Sequence, residues 1–173
     1  MWEQAYNAGA RIHNNSYGSV GDGAYSFSDL FLDRTLRDLE DMLILIAAGN
    51  DDGPVNTTGS PGNAKNAMSV GALGHGNSQF VAGFSNRGPT DDGRIKPDIT
   101  ATGSSIESAN GNRVNNSNIT SPVRGTKSGT SMSTPITAGS AALVRQYYAD
   151  GFYPTGLANQ ADEHIPTGCL LYT

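Results

Sequence analysis

The sequence has little charge, a single cysteine and no long apolar run. Charged residues make up 16% of the 173 residues, and the net charge of −5 argues against nucleic acid as a main partner. Cys169 cannot form an internal disulfide, so cysteine usage leaves the redox compartment open. No apolar segment reaches bilayer-spanning length, and no signal-peptide pattern opens the chain. The negative net charge and the lack of a long apolar run therefore predict that the chain binds neither nucleic acid nor membranes.

Metal-ligand spacing is also missing. The three histidines, His13, His75 and His164, lie far apart and have no partners at ligand spacing, so no metal site is predicted. Glycine, in contrast, is abundant at 22 residues, which predicts many tight turns. The length is sufficient for one domain with a real core.

Buried-strand patterns alternate with helical patterns along the chain. Apolar stretches at 42–48 and 67–73 predict strands buried on both faces, and weaker strands are predicted at 10–16, at 80–84 and around Ile99 and Ile106. Ser28 and Asp29 are predicted to cap a helix with leucines at helical spacing (Leu32, Leu36, Leu39, Leu43). A polar, exposed excursion is predicted at 110–121, before a long helix that ends near residue 149. The order predicts an α/β fold in three layers, with a mostly parallel sheet flanked by helices.

Residues 129–135 read GTSMSTP and place a serine at the start of the long helix. A helix N-terminus favours the negative charge that develops in acyl transfer, so Ser131 is a candidate nucleophile, although serines there are more often N-caps. Pro135 is predicted in the first turn, where a missing N–H costs least. One stripe of the helix (Met132, Ile136, Gly139, Leu143), with small residues nearby (Ala138, Ala141, Ala142), predicts a small-residue helix able to sink deep into the core.

Two other segments end predicted strands in polar or small residues. Residues 47–50 read AAGN, and the Asn50 amide at a strand's carboxyl end could face a developing oxyanion. Residues 15–18 read NSYG, an edge to which an extended peptide could add by main-chain hydrogen bonds. Taken singly, each segment is better explained as an ordinary strand-to-loop transition.

The three segments in this order (NSYG, AAGN, SGTSMSTP) resemble the subtilisin-like serine proteases (subtilases, peptidase S8). Within that family the similarity is greatest to bacterial alkaline subtilases. Linking segments match too: SPG at 60–62, AMSVGA at 67–72, FSNRGP at 84–89 and DGRIKPDI at 92–99. The resemblance runs from about residue 10 to 149. We therefore predict that residues 1–173 are a partial peptidase S8 catalytic domain, the Ser-bearing C-terminal part, with a poorly matched tail at 150–173.

The resemblance implies a role for each matching residue. Ser131 would be the acylated nucleophile, and Asn50 would stabilise the oxyanion together with the Ser131 N–H. Substrate-binding residues would be Ser16, Tyr17 and Gly18 in the pairing strand, Ala47, Ala48 and Gly49 in the pocket for the residue before the scissile bond, and Gly129 and Thr130 beside the nucleophile. The small pocket residues predict acceptance of large apolar side chains.

The family's Asp and His precede its Ser in the chain and lie upstream of the NSYG strand. No histidine here has the His-Gly-Thr setting of the family's base. We therefore expect this chain alone to be inactive, and to need the missing N-terminal part of the domain or a second copy of itself. The start inside a helical pattern and the apolar end both predict a fragment.

Two other functions compete with a serine endopeptidase acting on polypeptides. A truncated gene product or pseudo-protease would bind peptides along the NSYG edge without cleaving them. An α/β-hydrolase needs G-x-S-x-G, and the chain has GTSMS, which disfavours that class.

The resemblance implies no required cofactor. Calcium is a further expectation at the loop acids (Asp51, Asp52, Asp91, Asp92), because many relatives bind it, although ligand spacing is absent. A secreted, extracellular location follows from the family alone.

Overall fold

The computed structural model describes residues 1–110, 124–164, 166 and 168. In chain order, the elements are α1 (Trp2–Asn7), β1 (Ile12–Asn15), α2 (Phe27–Asp38), β2 (Leu43–Ala47), β3 (Met68–Leu73), β4 (Ile99–Thr102), β5 (Ile106–Ala109), β6 (Arg124–Lys127) and α3 (Thr130–Ala149). A 3-10 turn, Gln160–Asp162, follows. Most of the predicted polar excursion, 111–121, lies outside the described residues. No described helix has the length and hydropathy needed to cross a membrane.

Four strands form a parallel sheet in the order β1-β2-β3-β4. Register pairs Asn15 with Ile46 and Ala47 with Val70, so β1 and β2 end at the same edge of the sheet. Strands β5 and β6 form a separate antiparallel ribbon. The predicted α/β fold with a mostly parallel sheet and flanking helices is confirmed.

Strand β2 is buried along its whole length, because helices cover both of its faces. Its alternating side chains divide the core: Ile44 and Ile46 pack with Trp2 of α1 and Leu32 of α2. On the other face, Leu43 and Leu45 pack in a cluster with β3 and α3 residues (Met68, Val70, Ala141). The apolar run at 42–48 therefore holds the three layers together.

The buried face of α3 is not the apolar stripe that the sequence predicts. Ile136 and Leu143 are 41% and 69% exposed, whereas the buried residues are small and mostly hydroxylated (Thr130, Ser133, Thr134, Thr137, Ala141). The Thr134 and Thr137 hydroxyls donate to main-chain carbonyls one turn earlier, at 2.8 and 3.1 Å, which makes their burial tolerable. Small side chains let α3 approach all four strands of the sheet closely.

Two local predictions are also wrong. Ser26, not Ser28, caps α2: its hydroxyl accepts from the Ser28 N–H at 3.1 Å. Asp29 is the third helical residue. Its carboxylate accepts from the Ser26 N–H at 2.8 Å, which completes a capping box. At 80–84 there is no strand, only an isolated bridge between Leu73 and Val81.

A buried ion pair fixes the start of β3. Lys96, 5% exposed, donates to Asp98 at 2.7 Å and to the Ala67 carbonyl at 3.1 Å, and Asp98 also accepts from the Ser69 N–H. Burial lowers the pKa of Lys96, against the opposing effect of the Asp98 charge.

We expect Asp98→Ala to lower the free energy of unfolding by about 3 kcal/mol, because the buried ammonium then has no counter-charge. Lys96→Met, which fills similar volume without charge, should cost much less. Urea denaturation of both variants measures the difference, and equal losses would contradict this account.

Candidate active site

The three segments singled out in the sequence meet at the carboxyl edge of the sheet. Ser16 follows β1, Asn50 lies three residues beyond β2, and Ser131 is the second residue of α3. They line a cavity of about 270 Å³ (Ser16, Tyr17, Gly18, Ser19, Val20, Ala47, Gly49, Asn50, Asp51, Thr130, Ser131). This edge is where ligands bind in open parallel sheets.

Eight of the ten predicted site residues line this cavity, and two lie behind it. Ala48 is buried, and its N–H donates to the Val70 carbonyl at 3.0 Å. Gly129 is buried beside Asn50, whose Oδ1 lies 3.6 Å from the position of a Cβ at residue 129. Ser19, Val20 and Asp51 also line the cavity, and their places there could not be predicted because they depend on how the chain turns after each strand. The sequence points to Asp51 only as a candidate calcium ligand.

Asn50 is held by the first turn of α3. Its Oδ1 accepts from the Thr130 N–H at 2.8 Å and lies 3.1 Å from the Thr130 hydroxyl. That hydroxyl in turn accepts from the Gly49 N–H at 3.2 Å. Because the oxygen end is engaged, the Asn50 Nδ2 is the donor left over, and it has no acceptor among the described residues.

Ser131 exchanges two hydrogen bonds with Ser16. The Ser131 Oγ donates to the Ser16 carbonyl at 3.2 Å, and the Ser16 Oγ donates to the Ser131 carbonyl at 3.0 Å. Proline has no N–H for the carbonyl four residues earlier, so Pro135 leaves the Ser131 carbonyl without its usual helical donor, and the Ser16 hydroxyl donates to it instead. Pro135 is the sixth residue of α3, so the prediction that it lies in the first turn is wrong. The Ser131 N–H is one of the four helix donors that have no partner within the helix.

The three histidines lie against other groups. His13 is half-buried in β1, and burial lowers its pKa. The Nδ1 of His75 is 3.2 Å from the Ser104 carbonyl, and the Nδ1 of His164 contacts the Asp162 carbonyl. Within residues 1–110 and 124–164, no imidazole hydrogen-bonds to Ser131.

The segment after β1 has free main-chain groups. No described residue hydrogen-bonds to the backbone of Tyr17 or Gly18, whereas the next residue, Ser19, donates to the Ser60 carbonyl at 2.8 Å. Tyr17 also lines a second cavity of about 350 Å³, which is largely apolar (Met1, Trp2, Phe27, Ser28, Phe31, Pro61). Partial burial between the two cavities raises the pKa of Tyr17.

Three of the four loop aspartates accept hydrogen bonds from protein side chains. Asp51 accepts from Asn86, Asp91 from Asn56 and Asp92 from Arg94. The hydrogen bond from Arg94 lowers the pKa of Asp92 to about 2. The part of the chain that the structure describes has no group of three or more His, Cys, Asp or Glu residues arranged to hold a metal.

We expect Ser16→Ala to destabilise the fold by about 1 kcal/mol, because it removes the donor to a carbonyl that Pro135 cannot serve. Pro135→Ala restores an N–H at that position. The double variant Ser16→Ala/Pro135→Ala should therefore lose less stability than the two single losses combined. Thermal unfolding of the four proteins measures the coupling, and strictly additive losses would contradict it.

The chain matches a known family over most of its length. The profile of the family described as "Peptidase_S8: Subtilase family" matches residues 1–160. The serine protease AprX of Bacillus subtilis (strain 168) is 36% identical over 76% of this chain and 33% of its own length. The serine protease/ABC transporter B family protein tagD of Dictyostelium discoideum is 28% identical over 99% of this chain and 14% of its own length.

Solved structures agree with this match. The prenylagaramide maturation protease PagA has a TM-score of 0.65 at 27% identity, covering 83% of this chain and 46% of PagA. Sphericase has a TM-score of 0.61 at 31% identity, covering 82% of this chain and 45% of sphericase. The chain thus spans less than half of each of these relatives. With its parallel sheet and with residues 1–160 matched, the chain belongs to the subtilase family of serine proteases.

Proposed function

We propose that this chain provides the nucleophile, the oxyanion donor and the substrate strand of a serine endopeptidase. The observation that carries the proposal is the meeting of Ser131, the free Asn50 Nδ2 and the unpaired Tyr17–Gly18 backbone at one cavity. These are the three groups that acyl transfer from a peptide requires besides a base.

In this reaction an extended substrate pairs with the Tyr17–Gly18 backbone, which brings its carbonyl carbon to the Ser131 Oγ. Attack forms an oxygen–carbon bond and moves the carbonyl electron pair onto the oxygen. The Asn50 Nδ2 and the Ser131 N–H donate to that oxyanion. Collapse breaks the carbon–nitrogen bond, and the departing amine takes up the proton that Ser131 has lost. The acyl-serine that remains is then hydrolysed by water to a carboxylic acid and free Ser131.

The proton of Ser131 needs an acceptor that the described residues do not supply. Its hydroxyl donates to the Ser16 carbonyl, and a carbonyl oxygen is far too weakly basic to remove that proton. The oxyanion groups alone support only residual catalysis. We therefore propose that the 173-residue chain by itself cleaves peptides very slowly.

The two cavities point to the side chains that a substrate would carry. Ala47 and Gly49 leave the 270 Å³ cavity beside Ser131 open to a large side chain, and Asp51 also lines it. The 350 Å³ cavity on the other side of Tyr17 suits a second, apolar side chain, because tryptophan, phenylalanine and proline line it. A polypeptide with two bulky residues would occupy both.

The surfaces that the chain exposes suggest its partner. Within the described residues β1 pairs with β2 alone, so its other edge is open. Four large apolar residues of α3 are at least 40% exposed at helical spacing (Ile136, Leu143, Val144, Tyr147). We propose that the polypeptide matching the remaining part of the relatives covers these surfaces. Analytical ultracentrifugation of the chain alone shows whether a second copy is the partner, because the chain would then sediment as a dimer. A chain that sediments as a monomer and also unfolds cooperatively on heating would contradict the need for any partner.

An acyl-enzyme assay tests the proposed chemistry. A peptide p-nitrophenyl ester carries a good leaving group, so it should acylate Ser131 slowly even without a base. Intact-mass measurement should show one added acyl group on the chain and none on Ser131→Ala. Ser133→Ala is the matched control, because the buried Ser133 hydroxyl has no hydrogen-bond partner among the described residues and should be dispensable. Equal acylation of Ser131→Ala would contradict the proposal.

A second function, peptide binding without cleavage, is favoured by the hydrogen bond that ties the Ser131 hydroxyl to Ser16. Isothermal titration calorimetry with an extended peptide distinguishes the two functions. Binding without any acylation supports this second function. The extracellular location and calcium binding remain proposals that rest on the family, and calorimetric titration of the chain with Ca²⁺ would decide the latter.

A further inference from the structure

We infer that Asn86 is a positioning residue for Asn50, and that it acts by clamping the backbone on both sides of that oxyanion donor. The inference rests on the proposed function of Asn50, but its structural part can be measured separately. Asn86 is fully buried and lies in a loop, 36 positions after Asn50 in the chain.

Asn86 bonds to both neighbours of Asn50. Its main-chain N–H donates to the Gly49 carbonyl at 3.1 Å. Its Oδ1 accepts from the Asp51 N–H at 2.7 Å, and its Nδ2 donates to the Asp51 carboxylate at 2.6 Å. A single residue therefore fixes the peptide units before and after Asn50.

The clamp needs a glycine at position 49. Gly49 has a φ of +110°, which favours glycine, and a Cβ there would lie 2.2 Å from the Asn86 Nδ2. The turn that presents Asn50 is therefore shaped around the Asn86 amide. This gives the glycine of the AAGN segment a physical reason.

Asn86 is itself anchored to a third segment. Its Nδ2 also donates to the Thr57 carbonyl at 2.6 Å. The adjacent Arg87 carbonyl accepts from the Thr57 N–H at 2.8 Å, and the Arg87 N–H donates to the Thr57 hydroxyl at 3.0 Å. The Asn86 side chain is therefore hydrogen-bonded to the Thr57 segment as well as to the turn that contains Asn50.

Asn50 needs this support because its own side chain is exposed and is held through Thr130 alone. An oxyanion donor must be kept within about 0.5 Å of its productive position. The double contact with Asn86 on either side limits the movement of the Asn50 backbone, and so of its Nδ2.

The test uses Asn86→Ala with Asn63→Ala as the matched control. Asn63 is also fully buried, and its Nδ2 donates to two carbonyls, those of Ala24 and Thr58, but it has no hydrogen bond to residues 49–51. Both variants should lose similar stability. Only Asn86→Ala should affect the Asn50 turn.

Two readouts separate positioning from general stability. The Thr130 amide donates to Asn50 Oδ1, so its hydrogen exchange should speed up by at least about tenfold in Asn86→Ala and stay unchanged in Asn63→Ala. The Ser131 acylation rate should fall by about tenfold or more in Asn86→Ala but not in Asn63→Ala. In an Asn50→Ala background, Asn86→Ala should cause no further fall.

Equal Thr130 exchange in the two variants would overturn the inference, and so would an Asn86 effect that persists without Asn50. If Ser131 is not acylated in any variant, the proposed function fails. The Thr130 exchange result then still decides whether Asn86 positions Asn50.

Discussion

Replacing Asn50 with alanine is expected to lower the acylation rate of Ser131 by about 10²–10³-fold, a loss measured for this type of donor in subtilisin. The physical reason is that the Asn50 Nδ2 is the free donor at the cavity, its oxygen being bonded to Thr130. The charge it stabilises develops only in the transition state. Peptide binding measured by calorimetry should therefore change little.

The control for this prediction is Asn77→Ala, an exposed asparagine in the 74–79 turn. It should leave acylation unchanged. A fall of less than threefold in Asn50→Ala would contradict the assignment of Asn50. Loss of peptide binding in proportion to acylation would instead mean that Asn50 contacts the substrate equally before and during the reaction.

Truncating Ile44 to alanine is expected to lower the free energy of unfolding by about 3 kcal/mol or more. Ile44 is fully buried in the cluster that joins β2 to α1 and α2, so truncation leaves a cavity that the helices on that face cannot fill. This is a large share of the stability of an ordinary small domain. Urea unfolding monitored by circular dichroism measures it.

Ile95→Ala is the matched control, since the same chemical change is made at a side chain that is 85% exposed. It should shift stability by less than about 0.5 kcal/mol. Equal effects at positions 44 and 95 would show that the core is not packed as described.

The sequence predicted the sheet well because its strands carry strong local signals. The apolar stretches that became β2 and β3 are continuous, and parallel strands buried on both faces require such stretches. Ser131, Asn50 and Ser16 could be singled out in the sequence because they lie at strand or helix boundaries. Their meeting at one edge then follows from the parallel order of the strands.

The face of α3 could not be predicted from hydrophobicity. Helix periodicity pointed to Ile136 and Leu143, but the sheet packs on Thr134, Thr137 and Ala141. Two factors decide which face of α3 is buried: how closely the helix can approach the sheet, and whether its buried hydroxyls find acceptors within the helix. A hydropathy pattern shows neither. The place of Asp51 at the cavity and its contact with Asn86 could not be predicted for a similar reason, because that contact joins loops far apart in the chain.

The central claim, which rests on the proposed function, is that Ser131 and Asn50 form one half of an acyl-transfer site whose base the described residues do not supply. The most direct measurement is the rate at which a fluorophosphonate probe labels Ser131, with and without added imidazole as an external base. We predict slow labelling that rises with imidazole concentration and is absent in Ser131→Ala. Fast labelling that does not depend on imidazole, with robust peptide hydrolysis by the same sample, would contradict the claim.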